Sequence, residues 1–320
     1  MRRYVIRRLA LFLPVLVLVS IAIFFITHVL PGDVARVVLL GPSGQGIVTT
    51  EQLIDVRQRL GLDKPLPVQY LNWLGHLITV DFDTSYVTQQ PVATLLAQRL
   101  PLTFELAVLS IAVSLAVALP MGILAALHQD TWLDYILRVL SIGGLTMPSF
   151  WTGSLLLLVL VWGFHWIPPV GFATPWHDPW RNVQQVIFPV LIMGYLNAAV
   201  VSRMTRSTML EVLRQDYLRT AWAKGLRERV IVTRHALRNA ILPIITISGV
   251  QFGNLLGGTV IMEYLFSLPG VGSAMVDAIS ARDLPVIQGI VLLIAFWFLL
   301  INLMVDLLYA WFDPRVRYAE

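Results

Sequence analysis

Residues 103–127 read TFELAVLSIAVSLAVALPMGILAAL, and Glu105 is their single ionisable side chain. An apolar run of about 20 residues rises roughly 30 Å as a helix, which matches the hydrocarbon core of a bilayer. The stretch therefore predicts a helix that crosses a membrane. The same criterion predicts five further spans, at about residues 9–30, 138–162, 183–202, 240–262 and 285–311. The expected fold class is an all-α integral membrane protein with six transmembrane helices.

The composition of the whole chain agrees with a membrane protein. Of its 320 residues 57% are hydrophobic and 13% are charged, and the mean hydropathy is +0.74. A soluble domain has about 25% charged residues. The absence of cysteine excludes disulfides, thiolate metal sites and thiol catalysis. The formal net charge of +4 comes from basic residues that lie between apolar spans, so no nucleic-acid partner is expected.

The positions of Lys and Arg predict the orientation, because positively charged loops stay on the cytoplasmic side. Four arginines lie within the first eight residues, and residues 203–239 hold the densest group of basic side chains. With six spans these regions share one side, so both termini are expected to be cytoplasmic. The first apolar run is longer than a signal-peptide core, and no small-residue cleavage pattern precedes Pro31, so this span is expected to be retained.

The predicted spans divide the chain into three parts. Residues 1–30 form the N-terminus and first transmembrane helix, and residues 31–100 form an extracytoplasmic segment. Within that segment, residues 67–80 mix Tyr70, Trp73 and aliphatic residues with polar positions. This pattern predicts either a short helix at the membrane interface or a loop packed on the helix ends. Residues 101–320 form a five-helix core with a cytoplasmic loop at 203–239.

The fifth span carries small and polar residues in a helical pattern. Gly249, Gly253 and Gly257 recur every four residues and predict a stripe where another helix approaches closely. Gln251 and Asn254 lie off that stripe and are costly in lipid, so they should face protein or a water-filled path. Helix packing and a pathway wall are both open interpretations, and they are compatible.

A proline lies within the third predicted span. Pro148 frees a backbone carbonyl, and neighbouring hydroxyl groups can satisfy it, so a kink is expected there. Ser149 follows the proline on a polar face and is a candidate for lining a pathway.

Several kinds of chemistry have no signal in this sequence. It contains no G-x-x-x-x-G-K-[ST] phosphate-binding loop, and its six histidines show no metal-ligand spacing, so no catalytic residue, metal ligand or cofactor of its own is expected. Gly41-Pro42-Ser43-Gly44 matches a pattern found around the serine of rhomboid-like proteases. A turn outside the membrane is the preferred interpretation, and an intramembrane hydrolase remains a distant alternative.

The loop at 203–239 combines charge with helix-forming sequence. Residues 203–213 and 215–226 favour helices, Gly225 predicts a stop, and a second helix leads through 235–243 into the fifth span. A charged helix–glycine–helix held between two spans can act as a lever exposed to a cytoplasmic partner. An ordinary amphipathic loop is the alternative.

These motifs together resemble the permease subunits of dipeptide and oligopeptide ABC importers, and the resemblance runs essentially from end to end. The loop at 203–239 looks like their version of the EAA signature, although Arg219-Thr220-Ala221 stands where the general signature has Glu-Ala-Ala. A second departure is Val80-Asp81-Phe82-Asp83-Thr84-Ser85, where Gly-Asp-x-Gly-x-Ser is usual. Further matching motifs are Leu30-Pro31-Gly32-Asp33, residues 60–65, residues 266–272, residues 283–289, residues 302–308 and Asp313-Pro314-Arg315-Val316-Arg317-Tyr318.

The resemblance implies a type I ABC importer permease fold in the bacterial inner membrane. It implies as partners a second homologous permease, two ABC ATPase subunits and an extracytoplasmic binding protein, with ATP and Mg²⁺ used by the ATPases. Peptides are the expected substrates; nickel complexes, glutathione and oligosaccharides are the alternatives. The residues expected to couple to the ATPase are Asp216, Tyr217, Arg219, Thr220, Ala221, Lys224 and Gly225.

Overall fold

The computed structural model describes residues 2–29, 34–40, 46, 48–79 and 81–312, and the regular elements in this part of the chain are helices. In chain order they are α1 (Arg2–Val29), α2 (Val34–Leu40), α3 (Thr50–Arg59), α4 (Leu66–Ile78), α5 (Val92–Leu127), α6 (Trp132–Thr146), α7 (Ser149–Phe164), α8 (Pro179–Leu213), α9 (Asp216–Ala223), α10 (Glu228–Val230), a π-helix (Ile231–Ala236), α11 (Leu237–Gly258), α12 (Val260–Leu265), α13 (Val271–Ala281) and α14 (Leu284–Phe312).

Three of the sequence motifs, and one residue of a fourth, lie outside the described residues. They are Leu30-Pro31-Gly32-Asp33, Gly41-Pro42-Ser43-Gly44, Val80 and Asp313–Tyr318. The interpretations placed on them remain predictions.

The described helices contain five that are long and apolar enough to cross a membrane. They are Ala10–Thr27, Val92–Leu127, Pro179–Leu213, Glu228–Gly258 and Leu284–Leu307. The helix pair α6–α7 passes the same test together but is bent by 101°, which gives up to six spans if the pair counts as one. The chain is therefore an all-helical membrane protein, and the number of crossings depends on this pair.

The bend between α6 and α7 occurs at Pro148. Met147 adopts an extended backbone, with φ −85° and ψ 121°, as the residue before a proline prefers. Pro148 then caps α7 and supplies no N–H to continue α6. The kink expected in the third span is thus a complete break between two helices, because both the proline and its predecessor leave the helical conformation.

Two compact units divide the chain. Among the described residues, the first comprises 2–5, Phe104–Leu268 and 298–312, and the second comprises Ile6–Thr103 and Pro269–Trp297. The core of the first unit lies where α5, α8, α9, the π-helix and α11 meet, around Met209, Leu218 and Ile231, all fully buried. Small residues allow this close packing: a Cβ on Gly122 would lie 2.5 Å from Thr205 Cβ, and one on Gly194 would lie 2.6 Å from Val113 Cγ1.

The second unit has its core between the start of α5 and helices α13 and α14. Val92, Val271 and Ile290 are nearly or fully buried there. Asp283 is also buried, and it accepts hydrogen bonds from Ser85 Oγ at 2.5 Å and from the Tyr86 N–H at 3.1 Å. The loop at 81–91 is therefore tied to the start of α14 by a buried carboxylate.

Helix α4 covers most of the stretch predicted to lie at the membrane interface. Its Tyr70 and Trp73 rings contact Phe24 of α1, with ring centroids 5.4 and 5.6 Å away, and the Tyr70 hydroxyl bonds Ser20 Oγ at 2.9 Å. These contacts favour a segment packed on a neighbouring helix, and contact of α4 with a membrane surface remains a prediction.

Candidate functional site

The short helix α9 lies in the loop between the two long helices α8 and α11. Gln215 has an extended backbone and precedes the helix, and Asp216 in the first turn complements the positive end of the helix dipole. Arg219 forms an ion pair with Asp216 at 3.3 Å, with both side chains more than three-quarters exposed. Such an exposed pair contributes little to stability, so both charges remain open to a partner.

Helix α9 is amphipathic. Leu218 is fully buried and Ala221 is 8% exposed, and both join the core cluster of the first unit. Tyr217 and Trp222 are 43% and 46% exposed and lie at the two edges of this buried face, whereas the exposed Arg219 lies opposite it. Burial of one face holds the helix in place. The exposed surface combines charged groups with partly exposed aromatic rings at its edges, the composition typical of interface anchors.

A left-handed residue ends α9. Gly225 has φ +73°, and its N–H donates to Trp222 O at 2.9 Å, while the Leu226 N–H reaches back to Ala221 O at 3.4 Å. This pattern closes a helix C-terminus, and glycine adopts it without steric cost. A Cβ on Gly225 would meet no atom within 4 Å. The requirement for glycine here therefore comes from the backbone angle, and space is available.

Both ends of α9 are anchored to neighbouring structure. The Asn239 side chain of α11 donates a hydrogen bond to the Tyr217 hydroxyl at 2.7 Å. The chain then turns through α10 into a π-helix whose Ile231 and Ala236 are fully buried. Asn239 and Trp222 were not among the predicted coupling residues, although both lie in the motifs at 215–226 and 235–243. The predicted residues at 216–225 lie on α9 and in the turn that ends it, and their coupling role remains a prediction.

The candidate pathway residues fall into two groups. Gly249 and Gly253 face α14: a Cβ on Gly249 would overlap Val305, and one on Gly253 would lie 2.9 Å from the Phe298 ring. Close helix packing thus accounts for these two glycines, whereas Gly257 is exposed. Ser149 begins α7, is half-buried, and forms no side-chain hydrogen bond within the described part of the chain.

The polar residues of α11 contact α8. Gln251 Nε2 donates to Asn197 Oδ1 at 2.7 Å, and Asn254 approaches Gln251 Oε1 at 3.5 Å. Asn254 is exposed. No local sequence pattern indicated Asn197, because its partner Gln251 is distant along the chain. These three amides form a polar line on the α8–α11 pair, and its exposed end is available to a solute or to water.

A buried ion pair connects α6 with α8. Asp134 is fully buried and accepts hydrogen bonds from Arg206 Nε at 2.8 Å and Nη2 at 2.7 Å. The Asp130 N–H also donates to this carboxylate, at 3.1 Å. Bidentate geometry and extra donors are what make a buried charge tolerable. Arg206 therefore has a structural role besides its effect on topology.

The second unit encloses a cavity of about 360 Å³ next to α4. Its lining includes Trp73, His76, Asp81 and Tyr86. The hydrogen bond from His76, at 3.1 Å, lowers the pKa of Asp81, so this carboxylate is ionised at neutral pH. Burial raises the pKa of Tyr86 above its usual range, so its hydroxyl stays protonated. Among the residues that the structure describes, no group of three or more metal-binding side chains comes together.

Comparison with solved structures places this helical arrangement in a known class. The structure of the MetNI methionine ABC transporter in inward-facing conformations contains a chain that superposes with a TM-score of 0.57. That match covers 68% of this chain and 96% of the other, at 14% sequence identity. The chain therefore shares the fold of a chain in that transporter structure.

Family models then identify the chain more closely. Residues 118–318 match the binding-protein-dependent transport system inner membrane component, and residues 1–107 match the N-terminal region of that family. The chain belongs to this family, and it is a multi-pass transport permease of the bacterial inner membrane. The family resemblance that was based on the loop at 203–239 and the other motifs is thus confirmed.

Curated relatives extend over almost the whole chain. A protein of Brucella abortus, provisionally named a peptide transport system permease, is 40% identical over 318 residues, covering 99% of this chain and 100% of the relative. The glutathione transport system permease protein GsiC of Pectobacterium atrosepticum is 41% identical with the same coverage. GsiC of Salmonella typhimurium is also 41% identical.

Proposed function

We propose that this chain forms half of the membrane pathway of a type I ABC importer for peptides. A second permease of the same family forms the other half, and two ATPase subunits bind beneath them. An extracytoplasmic binding protein delivers the substrate. All six predicted spans cross the membrane and both termini are cytoplasmic. The chain itself carries no ATPase and no cofactor; ATP and Mg²⁺ are bound by the partner subunits.

The observation that carries this proposal is the amphipathic helix α9 with its anchored ends. Leu218 and Ala221 bind it to the core, its exposed face carries Asp216 and Arg219, and the partly exposed Trp222 lies at the edge of that face. A rigid element transmits a displacement only if it is held to the elements that must move. Helix α9 meets this condition because Leu218 and Ala221 pack in the same core as residues of α8 and α11, and because Asn239 of α11 binds Tyr217.

In the proposed mechanism, ATP-driven closure of the ATPases pushes on residues 214–226. The displacement passes through α8 and α11, rocks the third to sixth spans and switches access from the outside to the cytoplasm. The exposed amide of Asn254 and the Gln251–Asn197 pair lie on these two helices. They provide hydrogen-bonding groups for the polar backbone of a peptide in the proposed pathway.

Peptides are the preferred substrate class because the matched relatives include a peptide permease and glutathione permeases. Glutathione is itself a tripeptide, and like other peptides it carries amide groups and a charged carboxylate. The same pathway could therefore bind both kinds of substrate. Glutathione is therefore the second candidate. Nickel complexes and oligosaccharides remain more distant alternatives within the same architecture.

The docking role can be tested by tagged purification in mild detergent, with mass spectrometry of the co-purifying chains. The native chain should recover a second permease and P-loop ATPases. Combining Arg219→Glu with Trp222→Ala should reduce the recovered ATPase roughly tenfold or more, since exposed Trp and Arg dominate such interfaces. Glu228→Gln, an exposed change outside α9, is the matched control. Undiminished ATPase recovery with the double variant contradicts the docking assignment.

The substrate class needs a separate measurement. The purified complex is reconstituted in liposomes with its binding protein, and ATP-dependent uptake of a labelled dipeptide is compared with that of labelled glutathione. Dipeptide uptake that excess glutathione does not inhibit supports the peptide proposal. Uptake of glutathione alone favours the second candidate, and uptake of neither excludes both.

A further inference from the structure

A groove in the first unit combines basic and apolar walls. It lies between α5, α6 and α8 and has a volume of about 320 Å³. Arg138, Arg203 and Arg206 line it together with apolar side chains that include Ile142 and Leu145. None of the coupling or pathway residues discussed above lines this groove.

The charges in the groove are only partly neutralised. Asp134 binds the guanidinium of Arg206 through two hydrogen bonds. Arg138 lies 3.5 Å from the same carboxylate, and its side chain is 46% exposed. Arg203 is exposed, and its side chain forms no hydrogen bond or ion pair within the described part of the chain. Two guanidinium groups thus remain able to bind an anion.

Two serine hydroxyls in the groove already have hydrogen-bond partners. Ser141 and Ser202 line it, but their hydroxyls bond each other at 2.9 Å and bond backbone carbonyls of their own helices. Ile142 and Leu145 follow Arg138 on one face of α6 and are 57% and 39% exposed. The site therefore has a basic end and an apolar end along the same helix.

Two aromatic residues mark the level of the basic end. Trp132 and Tyr135 begin α6, are 76% and 54% exposed, and contact each other with ring centroids 5.5 Å apart. Exposed Trp and Tyr at a helix end are typical of the membrane–water interface. Arg138 lies about 5 Å further along the helix axis than Tyr135, at 1.5 Å per residue. Arg138 therefore lies near the level of these aromatic rings, where lipid headgroups are expected, and Arg203 lines the same groove.

We propose that this groove binds an anionic phospholipid. The phosphate contacts Arg203 and Arg138, and one acyl chain lies against Ile142 and Leu145. Guanidinium groups match phosphate oxygens in charge and geometry, and a basic pocket between membrane helices at headgroup level suits such a lipid. A free phosphate ion would leave the apolar end empty. The inference requires a membrane location and is independent of the transported substrate.

The test uses the full-length chain in a neutral detergent and measures lipid binding by native mass spectrometry. Phosphatidylglycerol is compared with phosphatidylcholine carrying the same acyl chains. The native chain should prefer phosphatidylglycerol, and Arg203→Gln should weaken its binding roughly tenfold, the value of one charge-assisted hydrogen bond. Arg203→Lys should retain most of the binding. Arg229→Gln removes an exposed arginine elsewhere in the same unit and should change nothing.

Three results of the lipid-binding measurement would overturn the proposal. One is equal binding of the two lipids by the native chain, and another is native affinity for phosphatidylglycerol in Arg203→Gln. The third is complete displacement of the lipid by millimolar inorganic phosphate, which would indicate a site for the ion alone.

A cross-linking experiment tests the groove in the assembled complex. Because the chain has no cysteine, Ile142→Cys provides a unique cross-linking position there. Cross-linking to the sister permease in place of a photoactivatable lipid would identify the groove as a protein contact.

Discussion

Gly225 illustrates how a single backbone angle can control a mechanical element. Its φ of +73° costs a residue with a Cβ about 1–2 kcal/mol, although the surrounding space is open. We predict that Gly225→Val inserts normally in the membrane but uncouples ATP hydrolysis from uptake, because the turn after α9 changes direction. ATP hydrolysis and substrate uptake by reconstituted complexes would be measured in parallel.

The matched variant at this position is Gly225→Asn. Asparagine tolerates the left-handed conformation better than other residues with a side chain, so it should retain most of the coupled uptake despite its larger volume. If both variants lose coupling equally, side-chain volume matters more than the backbone angle. If Gly225→Val transports normally, the lever mechanism is wrong.

Asp134 is a buried charge, and its loss leaves the guanidinium of Arg206 without this partner. Replacing it with Asn removes the carboxylate that binds Arg206 through two hydrogen bonds. We predict a loss of about 3–5 kcal/mol in the free energy of unfolding, as for other broken buried pairs. Asp216→Asn, which breaks the exposed pair with Arg219, should cost less than about 1 kcal/mol. Chemical denaturation in the same detergent compares the two.

At the scale of elements, α11 provides its own control for helix packing. A Cβ on Gly249 would overlap Val305 of α14, whereas one on Gly258 would meet no atom within 4 Å. We predict that Gly249→Ala destabilises the protein by about 1–3 kcal/mol through overpacking. Gly258→Ala should be neutral or stabilise by up to about 1 kcal/mol. Equal melting temperatures for the two variants would contradict close packing at the stripe.

The amides on α8 and α11 allow packing and transport to be separated. If Gln251 and Asn197 serve only each other, replacing both with Leu should restore the stability that either single change removes. If they line the pathway, the double variant should stay stable and still lose uptake. Melting temperature and uptake rate, measured on the same three variants, distinguish these roles. We predict the second result, since exposed Asn254 extends the line of amides.

Sequence patterns predicted these elements unequally well. Hydropathy located the fourth span at 183–202, yet α8 continues to Leu213, because hydropathy does not register a charged helical extension that packs on protein. Proline rules predicted a disturbance at Pro148, but the 101° bend depends on how α7 packs afterwards. The membrane class and the family were correctly predicted. The contacts Gln251–Asn197 and Asp134–Arg206 are distant in sequence, so no local pattern could indicate them.

At the scale of the whole molecule, the number of membrane crossings determines on which side of the membrane the C-terminus lies. Five helices pass as spans individually, and α6–α7 adds a sixth only if the bent pair crosses the bilayer. Six crossings place both termini on one side, and five place them on opposite sides. Whether the number of crossings is even or odd thus depends on the break at Pro148. The break either joins two halves of one span or forms a re-entrant hairpin.

Single-cysteine labelling decides between these topologies, because the native chain contains no cysteine to remove. Gln129→Cys precedes α6 and His165→Cys follows α7, so a crossing places them on opposite sides, and a re-entrant pair places them on the same side. We predict that a membrane-impermeant maleimide added from outside labels position 165 but reaches position 129 only after the membrane is permeabilised. Gln58→Cys, in the extracytoplasmic segment, should be labelled from outside, and Arg229→Cys, in the cytoplasmic loop, should not. Labelling of 129 and 165 from the same side would mean five crossings, with the C-terminus outside, and the predicted topology would have to be abandoned.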